Sequence, residues 1–329
     1  FTQPNWYRTL TESTNRLKST RLLSNAFAEF QFLEGLKFKT SVSLDLSANN
    51  QRAFKPSTVG TASNSNLPPN MATASYNTAF YYSWLTENTL NYEKTIAQDH
   101  TIDVLAGYSA QKFRQENNSL TGTDFPDDAV SWIDAAAIKN GSSNMGEWSL
   151  ISFFSRLNYN YKGKYMLSAS LRRDGSSRFG SGNRWGAFPS ISAGWVVSDE
   201  TFMSDLNAID YLKVRAEYGS SGNFNIGNYT QFGNISSTNY IFGNALASGR
   251  SPVSIGNSQL TWETSKGLDV GIDIGLLKNR IFVTADFYNK VTSDMLYQID
   301  IPAGTGYTNI QSNVGEFKFW GYEFSVNSK

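Results

Sequence analysis

The 329-residue chain contains no cysteine and a single histidine, His100. Without thiols there is neither a disulfide framework nor a cysteine-ligated metal centre, and one imidazole cannot build a histidine-rich site. An excess of either charge is missing too: 28 Lys+Arg stand against 28 Asp+Glu, for a formal net charge of +0. That balance leaves no electrostatic footprint for nucleic acid. No run of about 18 apolar residues occurs, which excludes a bundle of transmembrane helices. The opening Phe1-Thr2-Gln3-Pro4-Asn5 lacks the basic and apolar regions of a signal peptide. An exported protein would therefore appear here as a mature chain or an internal piece.

None of these absences excludes a membrane crossed by strands. A transmembrane β-barrel shows lipid only alternate side chains, so mean hydropathy stays low while aromatics rise at the two interfaces. Aromatics make up 14% of this chain against 17% charged residues. Period-two alternation dominates from residue 21 to 327. In 268–276, Leu268, Val270, Ile272, Ile274 and Leu276 oppose Asp269, Gly271, Asp273 and Gly275; segments 38–47, 165–172 and 281–290 follow the same rule.

The connections alternate short and long. Short ones fall at Glu34-Gly35, around Asp99, at Lys162-Gly163-Lys164, from 199 to 210 and at Lys278-Asn279-Arg280. Long polar stretches occupy 49–76, 115–147, 173–184, 219–260 and 292–313. That rhythm predicts an up-and-down barrel with short periplasmic turns and long outer loops. About eleven strands fit between the connections, residues 1–20 read as a loop or tail, and residues 200–208 as the one helical turn. Tyr159, Tyr161 and Tyr165 beside the Lys162-Gly163-Lys164 turn suit an interfacial belt. The rival architecture is a soluble extracellular β-sandwich that binds glycan through loop aromatics.

Several motifs carry a resemblance. The run Arg172-Arg173-Asp174-Gly175-Ser176-Ser177-Arg178-Phe179-Gly180 is followed by Asn183-Arg184-Trp185-Gly186 and Ala193-Gly194-Trp195. Then come 212–219 with Gly222-Asn223, Leu260-Thr261-Trp262-Glu263-Thr264, Phe287-Tyr288-Asn289-Lys290 and Asn313-Val314-Gly315-Glu316. This set resembles the SusC/RagA-type TonB-linked outer-membrane transporters of Bacteroidetes, specifically over 155–326 and more weakly over 21–107. The resemblance implies an all-β transmembrane antiparallel barrel of which residues 1–329 supply about half, since such barrels have 22 strands. The family's plug domain, through which TonB acts, has no counterpart here, and the stretch reads as truncated at both ends. Phe317-Lys318-Phe319-Trp320-Gly321 departs from the Asn-Lys pair usual before that glycine. The resemblance further implies import of oligosaccharides or oligopeptides and a SusD-like surface lipoprotein as partner.

Candidate sites follow from residue chemistry. Arg172, Arg173 and Arg178 could grip an anion in bidentate fashion, but beside Asp174, Gly175, Ser176, Ser177 and Phe179 they read as loop-fixing. Phe125, Trp132, Trp148, Tyr229 and Tyr240 are candidate loop contacts for cargo or a lid protein. Lys39, Asp45, Asp103, Arg156, Arg172, Asp269, Asp273, Asp286 and Lys290 are expected on the inner wall. Asp124, Asp127 and Asp128 lack the spacing of a calcium loop and read as a solvated loop. A Ser-His-Asp triad, as in a surface esterase or protease, would have to use His100 on a short turn. The reading is therefore a transporter, with no catalytic residue, cofactor or metal.

Overall fold

The computed structural model describes residues 6–59, 72–204, 206 and 208–329. Among these, an α-helix, α1 (Trp6–Glu12), precedes fifteen strands. The first eight are β1 (Thr14–Leu33), β2 (Leu36–Lys55), β3 (Thr73–Ile96), β4 (His100–Thr123), β5 (Ile138–Tyr161), β6 (Tyr165–Ser176), β7 (Trp185–Val196) and β8 (Ile209–Asn223). Then follow β9 (Ile235–Phe242), β10 (Ala245–Pro252), β11 (Glu263–Leu276), β12 (Ile281–Ser293), β13 (Leu296–Asp300), β14 (Asn309–Asn313) and β15 (Glu316–Ser328). Eleven of them form one sheet in the order β1-β2-β3-β4-β5-β6-β7-β8-β11-β12-β15. The pairs β9–β10 and β13–β14 make separate antiparallel hairpins inside two long connections. Alternation pointed to the eleven-stranded meander; the hairpins, short and polar, gave no such signal.

The short connections have a clear backbone logic. Lys162 and Gly163 both take positive φ, +54° and +71°, the combination a type I′ turn needs to match strand twist, and the Lys164 N–H closes the turn on the Tyr161 carbonyl at 2.9 Å. At the β1–β2 turn Gly35 has φ +81°, and a Cβ there would strike the Glu93 carbonyl. Leu277, Lys278 and Asn279 also have positive φ. The Asp210 carboxylate accepts the N–H of Lys278 (2.6 Å) and of Asn279 (3.1 Å), so this strained turn is capped by a neighbouring strand.

Three boundaries differ from those periodicity predicts. β1 begins at Thr14 rather than at residue 21, and α1 lies within what read as a tail. β2 to β5 run well into the stretches that read as loops, reaching Lys55 and Thr123 and starting from Thr73 and Ile138. In these extensions polar side chains bond to polar side chains across the strands, as Gln51 to Asn15 (3.1 Å) and Ser19 to Asn49 (2.6 Å). Such a ladder persists in water without any hydrophobic period. Finally, 200–208 is not the one helical turn: Val197–Asp199 and Thr201–Met203 are 3₁₀ turns, as are Ile133–Ala135 and Ala303–Thr305. Residues 205 and 207 lie outside the described residues.

Two compact units can be distinguished. The first comprises Phe1–Ala26, Val42–Leu85 and Gln111–Trp148. Its apolar cluster joins Phe54, Ala72 and Ala74 to Phe125 and Ile133, and Glu12 at the end of α1 bonds to Thr58 and Arg8.

The second unit comprises Phe27–Ser41, Thr86–Ala110 and Ser149–Lys329. From β5 to β15 its sheet has two unlike faces. One carries Phe153, Leu157, Tyr165, Leu167, Leu171, Trp185, Ile191, Trp195, Val214, Tyr218, Leu268 and Val270, all between 37% and 51% exposed except Ile191 at 52%. No second sheet covers them among the described residues. The soluble sandwich is thereby overturned, because a sandwich must bury this face. Trp185 and Trp195 bracket the apolar band of β7. Their spacing is ~33 Å along a strand, and a tilt of about 40° brings it to the ~25 Å height of an outer-membrane apolar belt.

Candidate functional site

The opposite face of the second unit is polar, and at its long-connection end the sequence motifs converge. β6 delivers Arg172 and Asp174 onto this face, two residues apart as a strand requires. Arg172 Nε donates to both oxygens of Asp174 (2.8 and 2.9 Å), and a terminal nitrogen donates to Ser152 Oγ at 2.9 Å. Asp174 and Ser152 are buried, so these bonds satisfy groups that would otherwise be desolvated without a partner; the buried Ser176 hydroxyl accepts the Arg178 N–H at 3.3 Å. Arg173 points to the other face, its guanidinium 5.1 Å from the Trp185 ring centroid. A Cβ on Gly175 would come within 2.9 Å of the same ring.

The next residues leave the strand and tie down the loop. Ser177 accepts the Ser149 N–H through its hydroxyl at 2.9 Å and donates its own N–H to the Ser149 carbonyl. Arg178 donates to Asn228 Oδ1 (3.0 Å) and to the Phe224 carbonyl (3.3 Å), with its plane near the Phe224 ring. Burial draws Arg178 below the ordinary guanidinium value; the group stays charged all the same. Phe179 is completely buried with Leu260, Trp262, Phe188 and Ile226. Burying such a ring contributes about 1.5–3 kcal/mol.

Trp262 is the hub of this cluster. Its ring lies 5.3 Å from Phe179 and 5.4 Å from both Phe188 and Phe224, and its N–H donates to the Arg184 carbonyl at 2.9 Å. The neighbouring motif residues are stitched in by polar bonds. Asn313 exchanges hydrogen bonds with the backbone of Thr261, Glu263 accepts from Asn223 and from the Leu296 N–H, and Asn183 donates to the Gln259 carbonyl. Segments more than a hundred residues apart in sequence thus meet in one knot.

Towards the short-turn end the polar face is charged. Arg215 on β8 reaches Asp269 (3.2 Å), Asp273 (3.4 Å) and Asp286, and Asp103 accepts from Asn158 at 3.2 Å. Arg215 is the centre that apolar alternation did not single out, although the Lys213, Arg215, Glu217 period would have placed it. In the first unit Asp45 pairs with Arg21 at 2.8 Å. His100 Nδ1 lies 2.7 Å from the Tyr159 hydroxyl and its ring sits against Tyr161; among the described residues no serine or carboxylate bonds to it. At the same end Glu200 accepts from Tyr165 (2.5 Å), Trp195 (3.1 Å) and Lys164 (3.3 Å). The Tyr165 hydroxyl, then Trp195 and Lys164, hold its carboxyl below the usual carboxylate range.

The five candidate aromatics go to different places. Phe125 packs edge-on to Phe54 in the apolar cluster of the first unit. Trp132 is exposed, with Arg52 stacked 3.5 Å over it. Trp148 lies within β5, not in a loop, and stacks on Phe113 at 5.8 Å. Tyr229 is partly exposed at a positive φ of 66°. Tyr240, on the β9–β10 hairpin, is exposed beside Phe242. Asp128 takes the Ser57 N–H and hydroxyl, and Asp127 the Ala129 N–H; no carboxylate cluster suited to a metal occurs among the described residues.

Comparison with known proteins places this architecture. The family described as TonB dependent receptor-like, beta-barrel, matches residues 1–329. TonB-dependent receptor P39 of Formosa agariphila is 36% identical over 298 residues, 90% of this chain and 28% of that protein. TonB-dependent receptor SusC of Bacteroides thetaiotaomicron is 37% identical over 187 residues, 55% of this chain and 18% of that protein. In fold, the chain superposes on the RagAB peptide transporter with a TM-score of 0.88 at 24% identity, covering 98% of this chain and 35% of that one. The chain therefore spans less than a third of the curated relatives it matches. With its uncovered apolar face, polar opposite face and a family match over residues 1–329, the chain belongs to the TonB-dependent receptor β-barrel family.

Proposed function

We propose that this chain is a wall segment of an importer that carries oligosaccharides or oligopeptides across the bacterial outer membrane. It works with a SusD-like surface lipoprotein over its outer mouth and draws energy through TonB. The observation that carries the reading is the two-faced sheet of the second unit. Its apolar side, rimmed by Trp185 and Trp195, suits lipid, and its charged and hydroxylic side suits a hydrated interior. The relatives support it: one is named SusC, and a solved structure of the same fold is titled a peptide transporter.

In this reading the short turns face the periplasm and the long connections face outwards. The Arg172–Phe179 run is structural: it binds the outer loops to the barrel rim and leaves its arginines engaged internally. Trp132, Tyr229 and Tyr240 each present exposed ring surface that suits contact with cargo or lid. Deleting the gene and growing the strain on single oligosaccharides and on oligopeptides tests the assignment, with neighbouring genes for glycan hydrolases or peptidases guiding the choice. A growth defect confined to a few such substrates and reproduced by deleting tonB is expected. Uptake that persists without TonB, or no defect on any substrate of either class, contradicts it.

A further inference from the structure

On the polar face of the first unit, three neighbouring strands repeat one pattern. β3 carries Asn77 and, four residues towards the short-turn end, Tyr81; β4 carries Asn117 and Phe113; β5 carries Asn144 and Trp148. Four is an even step, so both members of each pair share a face. Side-chain bonds tie the first row across the strands: Asn117 donates to Asn144 at 3.0 Å, and Ser119, two residues beyond Asn117 on β4, donates to Asn77 at 2.7 Å. Ring contacts join the second: Tyr81 to Phe113 at 6.4 Å and Phe113 to Trp148 at 5.8 Å, the latter stacked at 21°. The rows lie ~13 Å apart at strand rise. Between them stand Ala79, Gln115 and Gly146, two of which are nearly without side chain.

We infer that these two rows form a binding track for a neutral oligosaccharide, amides gripping hydroxyls while the aromatic row takes the apolar face of a sugar ring. The inference rests on the importer reading and narrows its cargo. None of the nine positions is charged, and the nearby Arg21 and Asp45 of the first unit neutralise each other at 2.8 Å, whereas the polar face of the second unit carries three carboxylates, Asp269, Asp273 and Asp286, on one Arg215. A track for ordinary peptides would have to meet charged side chains and termini, and burying those without partners is costly. An amide side chain has two donors and two acceptor sites, and the row uses few of them. Among the described residues Asn77 and Asn144 serve in it as acceptors, which leaves their N–H groups to a hydroxyl. The amide row lines an open recess of about 220 Å³ together with Asn49, Gln51 and Ser142, which gives a flexible chain room to lie across the strands.

The test uses the full-length protein, purified in detergent, and two probes: a mixture of neutral linear oligosaccharides and a mixture of oligopeptides of similar length. Calorimetric binding is compared for wild type, Phe113→Ala, Trp148→Ala, Trp148→Phe and Asn117→Ala, each checked for heat-modifiable migration as a folded barrel. Oligosaccharide binding should fall about tenfold or more in each alanine variant, roughly the loss of one good aromatic or hydrogen-bonded contact. Trp148→Phe, which keeps a ring in the row, should retain most of it. Binding of peptides but not oligosaccharides, or oligosaccharide binding that the alanine variants leave unchanged, overturns the track. In cells the two readings separate: TonB-dependent uptake of peptides that ignores these substitutions sinks the track and leaves the importer standing, while TonB-independent uptake sinks the importer.

Discussion

Trp262→Ala should loosen the outer rim without disturbing the membrane wall. The ring is 4% exposed and touches Phe179, Phe188 and Phe224. Truncating a buried tryptophan costs about 3–5 kcal/mol in lost transfer energy and cavity. The Arg184 carbonyl also loses one of its two donors, keeping the Ser176 N–H, which adds about 0.5–1.5 kcal/mol that partly overlaps the first. Because Phe179, Ile226, Leu260 and Trp262 come from connections and only Phe188, near the rim end of β7, comes from the wall, the loss should appear as local opening. Hydrogen exchange of the full-length protein reads it directly. The amides of Ser176, Asn183 and Leu260, bonded to Arg184, Gly180 and Asn257, should exchange about 100- to 1,000-fold faster, at about 1.4 kcal/mol per tenfold. Peptides from 165–172 and 268–276 should not change. Trp262→Phe, which keeps a ring but drops the N–H, should give about tenfold. Equal acceleration in strands and loops, or no acceleration in the loops, would refute the knot.

Three further outcomes follow. Leu167→Arg, in the middle of the apolar face, should cost about 2–4 kcal/mol and reduce the heat-modifiable folded fraction, whereas Ser168→Arg on the other face should be tolerated. Arg215→Met leaves Asp269, Asp273 and Asp286 facing one another; urea titration in detergent should show a loss of about 1–3 kcal/mol, discounted for partial exposure. Adding Asp286→Asn to that variant should recover part of the loss, and strict additivity would argue against the pairing. Glu200 has its folded pKa depressed by Tyr165, Trp195 and Lys164. Its stabilisation is therefore complete above the ordinary carboxylate value and disappears as pH falls through the depressed one. Glu200→Gln should flatten that acid limb in a melting series; an unchanged limb would remove Glu200 as its cause.

Much of this was legible in the chain, for a physical reason. Segments such as 165–172 and 268–276 put every second residue in lipid, so their sequence carries the fold's period. The short turns announce themselves through Gly35, Gly163 and Asn279, residues suited to positive φ. What escaped notice lies where hydrophobic contrast vanishes. The extensions of β1 to β5 beyond the apolar band pair amide with amide and hydroxyl with hydroxyl, so Asn15, Asn49 and Gln51 read as loop although they sit in a ladder. For the same reason Trp148 read as a loop aromatic. The motif knot is a long-range object: nothing local in Trp262 or Asn313 tells that one reaches Arg184 and the other Thr261. Arg215 is a long-range centre as well, its three carboxylates coming from two other strands.

The central claim is that the apolar face of the sheet meets lipid, and site-directed spin labelling tests it most directly. No cysteine in this stretch competes with introduced ones. Single cysteines at positions 166 to 171, labelled in the full-length protein in lipid vesicles, should alternate. Labels replacing Leu167, Ala169 and Leu171 should relax with oxygen, which dissolves in the bilayer, and those replacing Met166, Ser168 and Ser170 should not. Uniform exposure to a water-soluble relaxant along all six positions, or the opposite phase, would contradict the membrane wall.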